Sequence, residues 1–510
     1  MNGHIANGSA TRESTASTFD VLIIGAGISG INTAYRVQSG LPGCKYAILE
    51  SRNAIGGTWD LFRYPGIRSD SDLFTFGFAW NPWKQTNPIV EGPALKAYMR
   101  ETVRKFGIDE HIQFHKRVLA ADWSSTANRW TLQVDCQGSI ETYTARFVVF
   151  GTGYYNYNEP LDVNIPGMSS FKGQTVHPQF WPENLDYTGK KVVIIGSGAT
   201  AITLLPNIAK RAAHTTMLQR SPTYILALPN RGSFLSYLLP GPLYRRLQRV
   251  MWILSSSLFY SFCQTMPWLA RRILKLSVSA RLPKHIPHDP HFRPNYNPWD
   301  QRLCVSPDGD FFKALRTGRT DVKTDTIKQV TPTGIQLNSG EHLDADIIVT
   351  ATGLKLLIAG GISVTIDGKQ PIQIPDKYMW NGVMVQDVPN ASFILGYAHA
   401  SWTLGADATA HFIVRLLKHM EQRGLVAAVP RLDAKEASTL ETRRLLSLSS
   451  TYVTRAENAL PKAATRKPWL SRGGYFGDIW FAKYGRFEEG LETVEGKTGE
   501  GFRLVDKKRQ

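Results

Sequence analysis

The sequence predicts an α/β fold that contains two Rossmann-like units, with a helical insertion in the second unit. Two short apolar runs each end in a glycine-rich loop, G-A-G-I-S-G at residues 25–30 and G-S-G-A-T-A at residues 196–201. Each loop is followed by residues with helical spacing and then by a second apolar run, which is the order of a βαβ unit. Two further apolar runs end in small-residue turns, at residues 147–153 and 347–353. Their positions before and after the second unit indicate that the chain crosses twice between two domains.

The first unit is predicted to be a strand, a helix and a strand at residues 20–25, 28–39 and 45–50. In its loop, Gly25 permits the tight turn, Gly27 leaves room for a pyrophosphate, and Gly30 lets the helix approach the strand. Glu50 ends the second strand, where a carboxylate accepts hydrogen bonds from ribose hydroxyls. A glycine turn without a nucleotide is the alternative, but it would not account for Glu50. The unit therefore predicts a dinucleotide site.

The second unit repeats this order, with a strand, a helix and a strand at residues 190–196, from about 199, and near 215–219. Its second strand ends in Arg220 and Ser221 rather than in an acid. An acid would repel a 2′-phosphate, whereas an arginine and a hydroxyl bind one, so NADPH is favoured over NADH. The alternative for Arg220 is an ordinary solvated cation. The predicted NADP-binding residues of this unit are Gly196, Ser197, Gly198, Ala199, Thr200, Ala201, Arg220 and Ser221.

Composition limits the classes of protein to which the chain can belong. The 510 residues are too many for one core, and 43% apolar and 20% charged residues suit a globular protein. The four cysteines form no C-x-x-C pair and no metal-ligand spacing, which argues against a disulfide scaffold, a zinc site and a dithiol reductase. These features predict a cytoplasmic protein without a metal site. Residues 1–17 are small and polar, and we expect a disordered tail there rather than a secretory signal.

The basic charge raises two further questions about partners. The net charge is +17, but its cations are scattered and no nucleic-acid motif is present, so we expect no nucleic-acid partner. Residues 250–270 carry no charge and are bracketed by arginines and a lysine. Serines, a glutamine and a proline dilute their hydrophobicity, so we expect buried or groove-lining helices rather than a membrane span. Peripheral membrane contact through about residues 243–279 stays open as the alternative.

Two longer motifs carry a family resemblance. The segment between the two loops has the pattern F-x-G-x-x-x-H-x-x-x-W-P, formed by Phe171, Gly173, His177, Trp181 and Pro182. Residues 56–70 read G-G-T-W, then Y-P-G, and close on an aspartate. Both motifs resemble the fingerprints of flavin-dependent Baeyer–Villiger monooxygenases, over residues 18–490. Residues 297–304 and 396–404 resemble the short members of that family, similar to the mycobacterial ethionamide-activating type.

The resemblance implies FAD and NADPH as cofactors, O2 as co-substrate and a small-molecule ketone as substrate. NADPH would reduce FAD, and a C4a-peroxyflavin would convert the ketone to an ester or lactone. The implied domains are an FAD domain at 18–154 and 345–510 and an NADP domain at 155–344, with a helical subdomain at about 230–300. Two alternatives stay open. One is oxygenation of sulfur or nitrogen in a thioether, thioamide or amine, and the other is an NADP-sensing flavoprotein that transfers no oxygen.

The resemblance also implies roles for single residues. Arg302 would lie over the flavin and stabilise a developing oxyanion, with Asp70 beside it to orient its guanidinium. His177 would act at a hinge rather than as a general base, and Trp402 would line the substrate pocket unless it is simple core. Many family members have lysine before this arginine, where this chain has Gln301, which places more of the phosphate contact on Arg220. The implied FAD-binding residues are Gly25, Gly27, Ser29, Gly30, Glu50, Gly57, Thr58, Trp59, Asp60, Asp70 and Val118. Three further NADP-binding residues are implied, Arg68, Ser69 and Asp70.

Overall fold

The computed structural model of the chain describes residues 17–496. The predicted N-terminal tail lies outside the described residues except for Ser17, which begins the first strand. From residue 17 to 150 the strands are β1 (Ser17–Ile24), β2 (Tyr46–Leu49), β3 (Ile112–Gln113), β4 (Arg117–Ser124), β5 (Arg129–Cys136) and β6 (Ser139–Phe150). From 174 to 350 they are β7 (Gln174–Val176), β8 (Lys191–Ile195), β9 (His214–Gln219), β10 (Ile225–Leu228), β11 (Cys304–Pro307), β12 (Thr320–Thr324), β13 (Ile327–Thr331), β14 (Gly334–Leu337), β15 (His342–Asp344) and β16 (Ile347–Thr350). The remaining strands are β17 (Ser363–Ile366), β18 (Met379–Trp380), β19 (Met384–Val385), β20 (Ala391–Phe393), β21 (Leu425–Pro430), β22 (Thr442–Arg444), β23 (Lys462–Ala464) and β24 (Leu491–Glu495).

The α-helices are distributed over the whole described range. Up to residue 208 they are α1 (Ile28–Gly40), α2 (Thr58–Leu61), α3 (Leu73–Phe76), α4 (Gly92–Lys105) and α5 (Ala199–Ile208). From residue 235 they are α6 (Leu235–Leu238), α7 (Gly241–Thr265), α8 (Pro267–Ser279), α9 (Asp310–Leu315), α10 (Trp402–Arg423), α11 (Ala434–Thr439), α12 (Thr451–Arg455) and α13 (Tyr475–Tyr484). Both predicted βαβ units are present, β1–α1–β2 and β8–α5–β9, with their strands paired in parallel.

The larger sheet has the strand order β17-β4-β5-β6-β1-β2-β3, and β20 also pairs with β6. Near the loop its central strand β1 is buried on both faces, because the strand is apolar at every position there. Val21 and Ile23 belong to one hydrophobic core, whereas Leu22 and Ile24 belong to the core on the opposite face. This alternation follows from the two-residue period of a strand, and the continuous apolar run is typical of a doubly covered parallel strand. The first glycine loop therefore starts from a rigid strand end.

The second sheet has the strand order β12-β9-β8-β16-β7, and all of its pairings are parallel. Val192 and Ile194 of β8 face one core, and Val193 and Ile195 face another. The second glycine loop thus starts from a strand that is covered on both faces, as the first does. The α/β fold with two Rossmann-like units is confirmed.

One predicted domain boundary is wrong. The sequence prediction started the second FAD segment at residue 345, but β16 lies between β8 and β7 in the second sheet. Ile347 pairs with Val192 of β8 and with Gln174 of β7, so hydrogen bonds on both edges fix this strand in the second sheet. The return to the first sheet therefore comes after Thr350. With this correction, the division into two nucleotide domains stays a prediction.

The helical insertion consists of α6, α7 and α8. Only one face of the long helix α7 is covered, through Tyr244, Gln248, Ile253 and Cys263, and most of its other apolar residues are exposed. The expectation of buried or groove-lining helices is therefore wrong for the outer faces of α7 and α8. No described helix is both long enough and apolar enough to cross a membrane.

Candidate active site

The first glycine loop joins β1 to α1. The fold requires glycine at Gly25 and Gly30 but not at Gly27. Gly25 has a φ of +100°, and a Cβ there would lie 2.9 Å from the carbonyl oxygen of Gly151. A Cβ on Gly30 would lie 1.9 Å from the carbonyl oxygen of Gly25, so the helix could not pack. By contrast, a Cβ on Gly27 would meet only the Cα of Gly57, at 3.8 Å. Gly27 thus leaves open space at the start of α1, where a pyrophosphate fits the helix N-terminus.

Glu50 is held against this loop from the end of β2. Its side chain is buried, and its carboxylate accepts hydrogen bonds from the backbone N–H groups of Ala26, at 2.7 Å, and Arg52, at 2.9 Å. The amide of Lys116 donates to the Glu50 carbonyl at 2.9 Å, which brings β4 beside the strand end. Val118 of β4 is buried in the core next to this contact. The predicted FAD residue Glu50 therefore lies against the first loop, whereas Val118 lies in the core of the larger sheet.

The glycine pair of the G-G-T-W motif closes over the same loop. Gly57 has a φ of +54°, and a Cβ there would lie 3.3 Å from the Cα of Gly27. The hydroxyl of Thr58 lies 3.1 Å from the hydroxyl of Tyr157, which secures the start of α2. Trp59 packs edge-on against Phe76, with ring centroids 5.7 Å apart. Two motifs that are 30 residues apart in the sequence thus form one surface.

Asp60 in this motif is paired inside the protein. Its buried carboxylate forms ion pairs with Arg52 and Lys96. Burial opposes ionisation, but the two cations outweigh it and lower the pKa of Asp60. The prediction that Asp60 binds FAD is untested, and its contacts show that it supports the loop.

Asp70 does not cap the helix that follows it. The N-cap of α3 is Asp72, whose side chain accepts a hydrogen bond from the backbone N–H of Thr75 at 2.8 Å. Burial raises the pKa of Asp70 to about 6, and the nearby cations Arg68 and Arg302 reduce this shift. Among the described residues no hydrogen bond or ion pair engages the Asp70 carboxylate. The Asp70 carboxylate is therefore available to form a hydrogen bond or an ion pair with a ligand.

The two residues before Asp70 are engaged in protein contacts. Arg68 forms an ion pair with Asp310 and donates to the carbonyl of Val305 at 3.2 Å. Ser69 is buried and donates its hydroxyl to the carbonyl of Ser71 at 2.7 Å. These contacts position the segment that carries Asp70 against β11.

Arg302 precedes β11, and it bridges to the segment that follows β20 of the larger sheet. Its Nε donates to the carbonyl of Ala398 at 2.9 Å, and its Nη2 donates to the carbonyl of Tyr397 at 3.3 Å. The side chain remains exposed despite these two bonds. Within residues 17–496 no hydrogen bond or ion pair joins Arg302 to Asp70, because backbone carbonyls hold the guanidinium instead. The structure thus brings the two predicted catalytic residues near each other without a direct contact.

Trp402 is the first residue of α10 and lies between the first loop and a pair of tyrosines. Its indole N–H donates to the hydroxyl of Ser29 at 2.8 Å, and its ring stacks on Tyr154 with centroids 4.8 Å apart. Ser29 is buried in α1. These contacts favour the core alternative for Trp402 over a substrate-pocket role.

In the second glycine loop, as in the first, the fold requires the first glycine and leaves open space beside the second. Gly196 has a φ of +135°, and a Cβ there would lie 2.3 Å from the carbonyl oxygen of Ala351, whereas Gly198 has open space around it. Ser197 donates to the carbonyl of Ser221 at 2.8 Å, which ties the loop to the end of β9. Arg220 is exposed and forms no ion pair with any described residue. The remaining loop residues begin α5, with Ala199 exposed, Thr200 half-buried and Ala201 in the core.

The F-x-G-x-x-x-H-x-x-x-W-P segment lies on the two chain crossings rather than at Arg302. Asn156 in the first crossing donates to the carbonyl of Lys355 in the second at 2.8 Å. The side-chain Nε2 of Gln179 donates to the carbonyl of Asn156 at 2.7 Å. The backbone N–H of Gln179 donates to Nδ1 of His177 at 3.2 Å. Burial lowers the pKa of His177, so the ring is neutral at neutral pH.

The four other residues of the segment support it by packing or by a turn. A Cβ on Gly173 would lie 2.3 Å from the carbonyl oxygen of Asp346, which requires glycine beside β16. Trp181 is buried against Tyr187, and Phe171 packs on the core beneath β13–β15. Pro182 begins a turn in which its carbonyl accepts from the amide of Leu185 at 3.2 Å.

Residues 19–358 match the family described as FMO-like, flavin-binding monooxygenase-like. The chain belongs to this family. Among curated relatives it is 47% identical to a probable FAD-binding monooxygenase AlmA of Acinetobacter baylyi, over 94% of this chain and 98% of that protein. It is 44% identical to the FAD-containing monooxygenase EthA of Mycobacterium tuberculosis, over 93% of this chain and 98% of that protein. The sequence prediction of a flavin-dependent monooxygenase is confirmed.

Solved structures show the same fold. An oxidized steroid monooxygenase bound to NADP superposes with a TM-score of 0.76 at 20% identity, covering 94% of this chain and 100% of that chain. Cyclohexanone monooxygenase bound to ε-caprolactone superposes with a TM-score of 0.73 at 20% identity, with the same coverage. FAD and NADP, the two cofactors predicted from the sequence of this monooxygenase, are also held together in a solved structure of this fold.

Sequence reasoning missed three tyrosines of this monooxygenase that surround Arg302. The hydroxyls of Tyr154 and Tyr155 are 2.8 Å apart, and Tyr452 of α12 lies beside them. Burial raises the pKa of all three hydroxyls, and Arg302 offsets part of the shift. The position of the first two, directly after the G-T-G turn at residues 151–153, was a usable signal. Tyr452 comes from a distant segment with no motif and could not have been found.

Proposed function

We propose that this flavin monooxygenase is of the Baeyer–Villiger type and converts a ketone to an ester or lactone with FAD, NADPH and O2. The observation that carries this proposal is the fixed but exposed Arg302 guanidinium beside the hydroxyls of Tyr154, Tyr155 and Tyr452. Such a group of donors stabilises negative charge that develops on a reacting oxygen. The two fingerprints in the sequence support the same reaction.

FAD fits the surface formed by the first glycine loop and the G-G-T-W motif. Gly27 would admit the pyrophosphate, Glu50 would bind a ribose, and Gly57 would bring backbone near the cofactor. When bound, NADPH reduces FAD, and reduced FAD activates O2 for transfer of one oxygen atom to the substrate. The protein residues would then bind, orient and stabilise the reacting groups.

NADPH fits the second loop. Gly198 leaves open space at the start of α5, and Arg220 supplies an unpaired cation for the 2′-phosphate beside Ser221. The chain crossings at residues 154–157 and 353–357 would couple the two nucleotide domains, one comprising residues 18–154 and those after 350. His177 and Gln179 would keep the two crossings in register.

Arg302 and Asp70 would have different roles at the reacting centre. Arg302 would stabilise the oxyanion formed on the substrate carbonyl oxygen, since its Nη1 makes no hydrogen bond with any described residue. Asp70 would act as a positioning residue, because its charge lies near Arg302 without engaging it. Tyr154, Tyr155 and Tyr452 would remain protonated and donate hydrogen bonds.

Oxygenation of a sulfur or nitrogen atom is the alternative, because the names of the curated relatives do not specify which kind of atom they oxygenate. A matched test supplies ketones, thioethers and thioamides to the purified enzyme at equal NADPH and follows ¹⁸O from labelled O2 by mass spectrometry. Labelled esters or lactones are the expected products. Sulfoxides without any ester would contradict the proposal, and NADPH consumption without labelled product would indicate a flavoprotein that transfers no oxygen.

The test of the catalytic assignment compares Arg302→Ala with Arg302→Lys. Loss of one preorganised donor costs roughly 10²–10³ in rate, so Arg302→Ala should form almost no ester while it still binds flavin and oxidises NADPH. The electrons should appear as hydrogen peroxide instead. Ester yield per NADPH near that of the wild type would show that another group stabilises the oxyanion.

A further inference from the structure

The outer face of α7 carries an uninterrupted apolar stripe. Its members recur at helical spacing and are 36–69% exposed: Leu243, Leu247, Val250, Met251, Leu254 and Leu258. An amphipathic helix of a globular protein turns such a stripe toward the core, yet here the core side is the opposite face. The stripe therefore lacks a partner within the described part of the chain.

The neighbouring helices extend the exposed apolar surface. Trp268 of α8 is 64% exposed and Leu276 is 63% exposed, while Tyr237 of α6 is 86% exposed. Of the 22 large hydrophobic side chains that are exposed in residues 17–496, 13 lie between residues 234 and 276. This concentration marks an interaction surface rather than the scattered exposure of an ordinary protein.

The charged residues of this segment all have one sign. Residues 231–288 contain nine arginines and lysines and neither aspartate nor glutamate. Arg246, Arg271, Arg272 and Lys275 are exposed beside the apolar side chains. A surface that is apolar in its centre and basic at its edges complements the anionic face of a lipid bilayer.

The inner face of α7 is anchored to the rest of the protein, and this determines how the helix can contact a membrane. Arg249 donates hydrogen bonds to the carbonyls of Phe74, at 2.8 Å, Thr75, at 3.3 Å, and Gly77, at 3.1 Å, which anchors α7 to the end of α3. Tyr244 packs edge-on against Phe74 on the same side. Because one face is anchored and no described helix can cross a membrane, α7 can meet a bilayer only by lying along its surface.

We propose that the outer face of α6, α7 and α8 docks on an anionic lipid bilayer. The exposed leucines enter the boundary between headgroups and acyl chains, and Trp268 and Tyr237 occupy the interface that aromatic residues prefer. The arginines and Lys275 pair with the anionic headgroups. A second copy of the chain is a poorer occupant, because symmetric contact would bring the cations of both copies together. This proposal does not depend on the reaction that the enzyme catalyses.

The test uses the purified full-length enzyme with FAD in a flotation assay against two kinds of vesicle. One is phosphatidylcholine alone, and the other also contains phosphatidylglycerol. We expect binding to the anionic vesicles that weakens as salt is added, because screening acts on exposed charges. Each basic residue near an anionic surface contributes about 1 kcal/mol, so Arg271→Gln, Arg272→Gln and Lys275→Gln together should weaken binding about 100-fold at low salt.

A second triple variant, Leu247→Ser, Leu254→Ser and Leu258→Ser, should lose binding to anionic vesicles while its melting temperature and NADPH oxidation stay at wild-type values. The matched control is Leu119→Ser with Ile140→Ser, which removes two exposed apolar side chains from the larger sheet at 41% and 55% exposure. The control should bind vesicles as the wild type does. Wild-type protein that stays unbound, equal loss in the control, or a concentration-dependent dimer that the leucine variant abolishes would each overturn the proposal.

Discussion

The two glycine loops require glycine at the same first position but differ in the charged side chains that follow them. In each, the first glycine is forced by a neighbouring carbonyl, that of Gly151 for Gly25 and that of Ala351 for Gly196. After the first loop, the carboxylates of Glu50 and Asp60 are buried and bonded to protein donors. After the second loop, Arg220 is exposed without an ion pair in the described part of the chain.

This difference distinguishes charged groups that stabilise the protein from charged groups that are available to a ligand. A buried charge must be paired because removing it from water is costly, so a paired carboxylate such as Asp60 stabilises the loop. An exposed and unpaired cation costs little in the free protein and is available to an anionic ligand. Arg220 and Arg302 belong to the second kind.

The largest expected effects come from the glycines that the fold does not require. Gly27→Val should give a folded protein that is purified without its yellow flavin, because the side chain fills the space of the pyrophosphate. Gly198→Val should keep the flavin and instead lose saturation by NADPH. Absorbance spectra and NADPH titrations separate the two outcomes, and retention of flavin by Gly27→Val would show that the cofactor does not cross this loop.

The third position of each loop distinguishes packing from ligand binding. Gly30→Ala should destabilise the protein by about 3 kcal/mol, because its Cβ would lie 1.9 Å from the carbonyl oxygen of Gly25. At the matching position of the second loop, Ala201→Gly should cost about 1 kcal/mol, since Ala201 already packs in the core. Urea denaturation measures both values. A Gly30→Ala protein as stable as the wild type would mean that α1 can move away from the Gly25 carbonyl.

Arg220→Ala tests the unpaired cation directly. A charge-assisted hydrogen bond to a phosphate contributes roughly 1.5–3 kcal/mol, so KM for NADPH should rise about ten- to hundredfold while KM for NADH changes little. Arg293→Ala is a suitable control, because it removes an exposed arginine that pairs with Asp289. A wild-type enzyme that uses NADH and NADPH equally would contradict the assignment, and Gln301 is then the residue to change to lysine.

The two βαβ units could be predicted from the sequence because each element is specified locally. Strand period, glycine spacing and the residue that ends the second strand all lie within 32 residues of one another, at positions 20–50 and 190–221. Placement of β16 failed for the opposite reason. Its apolar run suits either sheet, and only its long-range pairing with β7 and β8 decides between them.

The candidate active site shows the same limit. Motifs pointed to Asp70 and Arg302, but the donors and acceptors that hold them could not be inferred. The carbonyls of Tyr397 and Ala398, which hold Arg302, belong to a distant segment and are backbone groups that carry no sequence signal. Likewise no motif marks Asp72, which is the N-cap of α3.

Asp70 provides the last and smallest test, because its carboxylate is half-buried and, among the described residues, is not paired as that of Asp60 is. Its pKa of about 6 in the folded protein exceeds the ordinary value of 3.8. Between these two pH values the unfolded chain releases the proton and the folded protein keeps it, so stability falls as pH rises through this window. Each pKa unit is worth ~1.4 kcal/mol, and partial exposure reduces the total to about 1–2 kcal/mol. Asp70→Asn should therefore gain stability relative to the wild type from pH 4 to pH 6 and show a constant difference above it. Urea denaturation across this range, with Asp109→Asn as an exposed carboxylate control, measures the difference, and a flat difference for Asp70→Asn would mean that the carboxylate titrates normally.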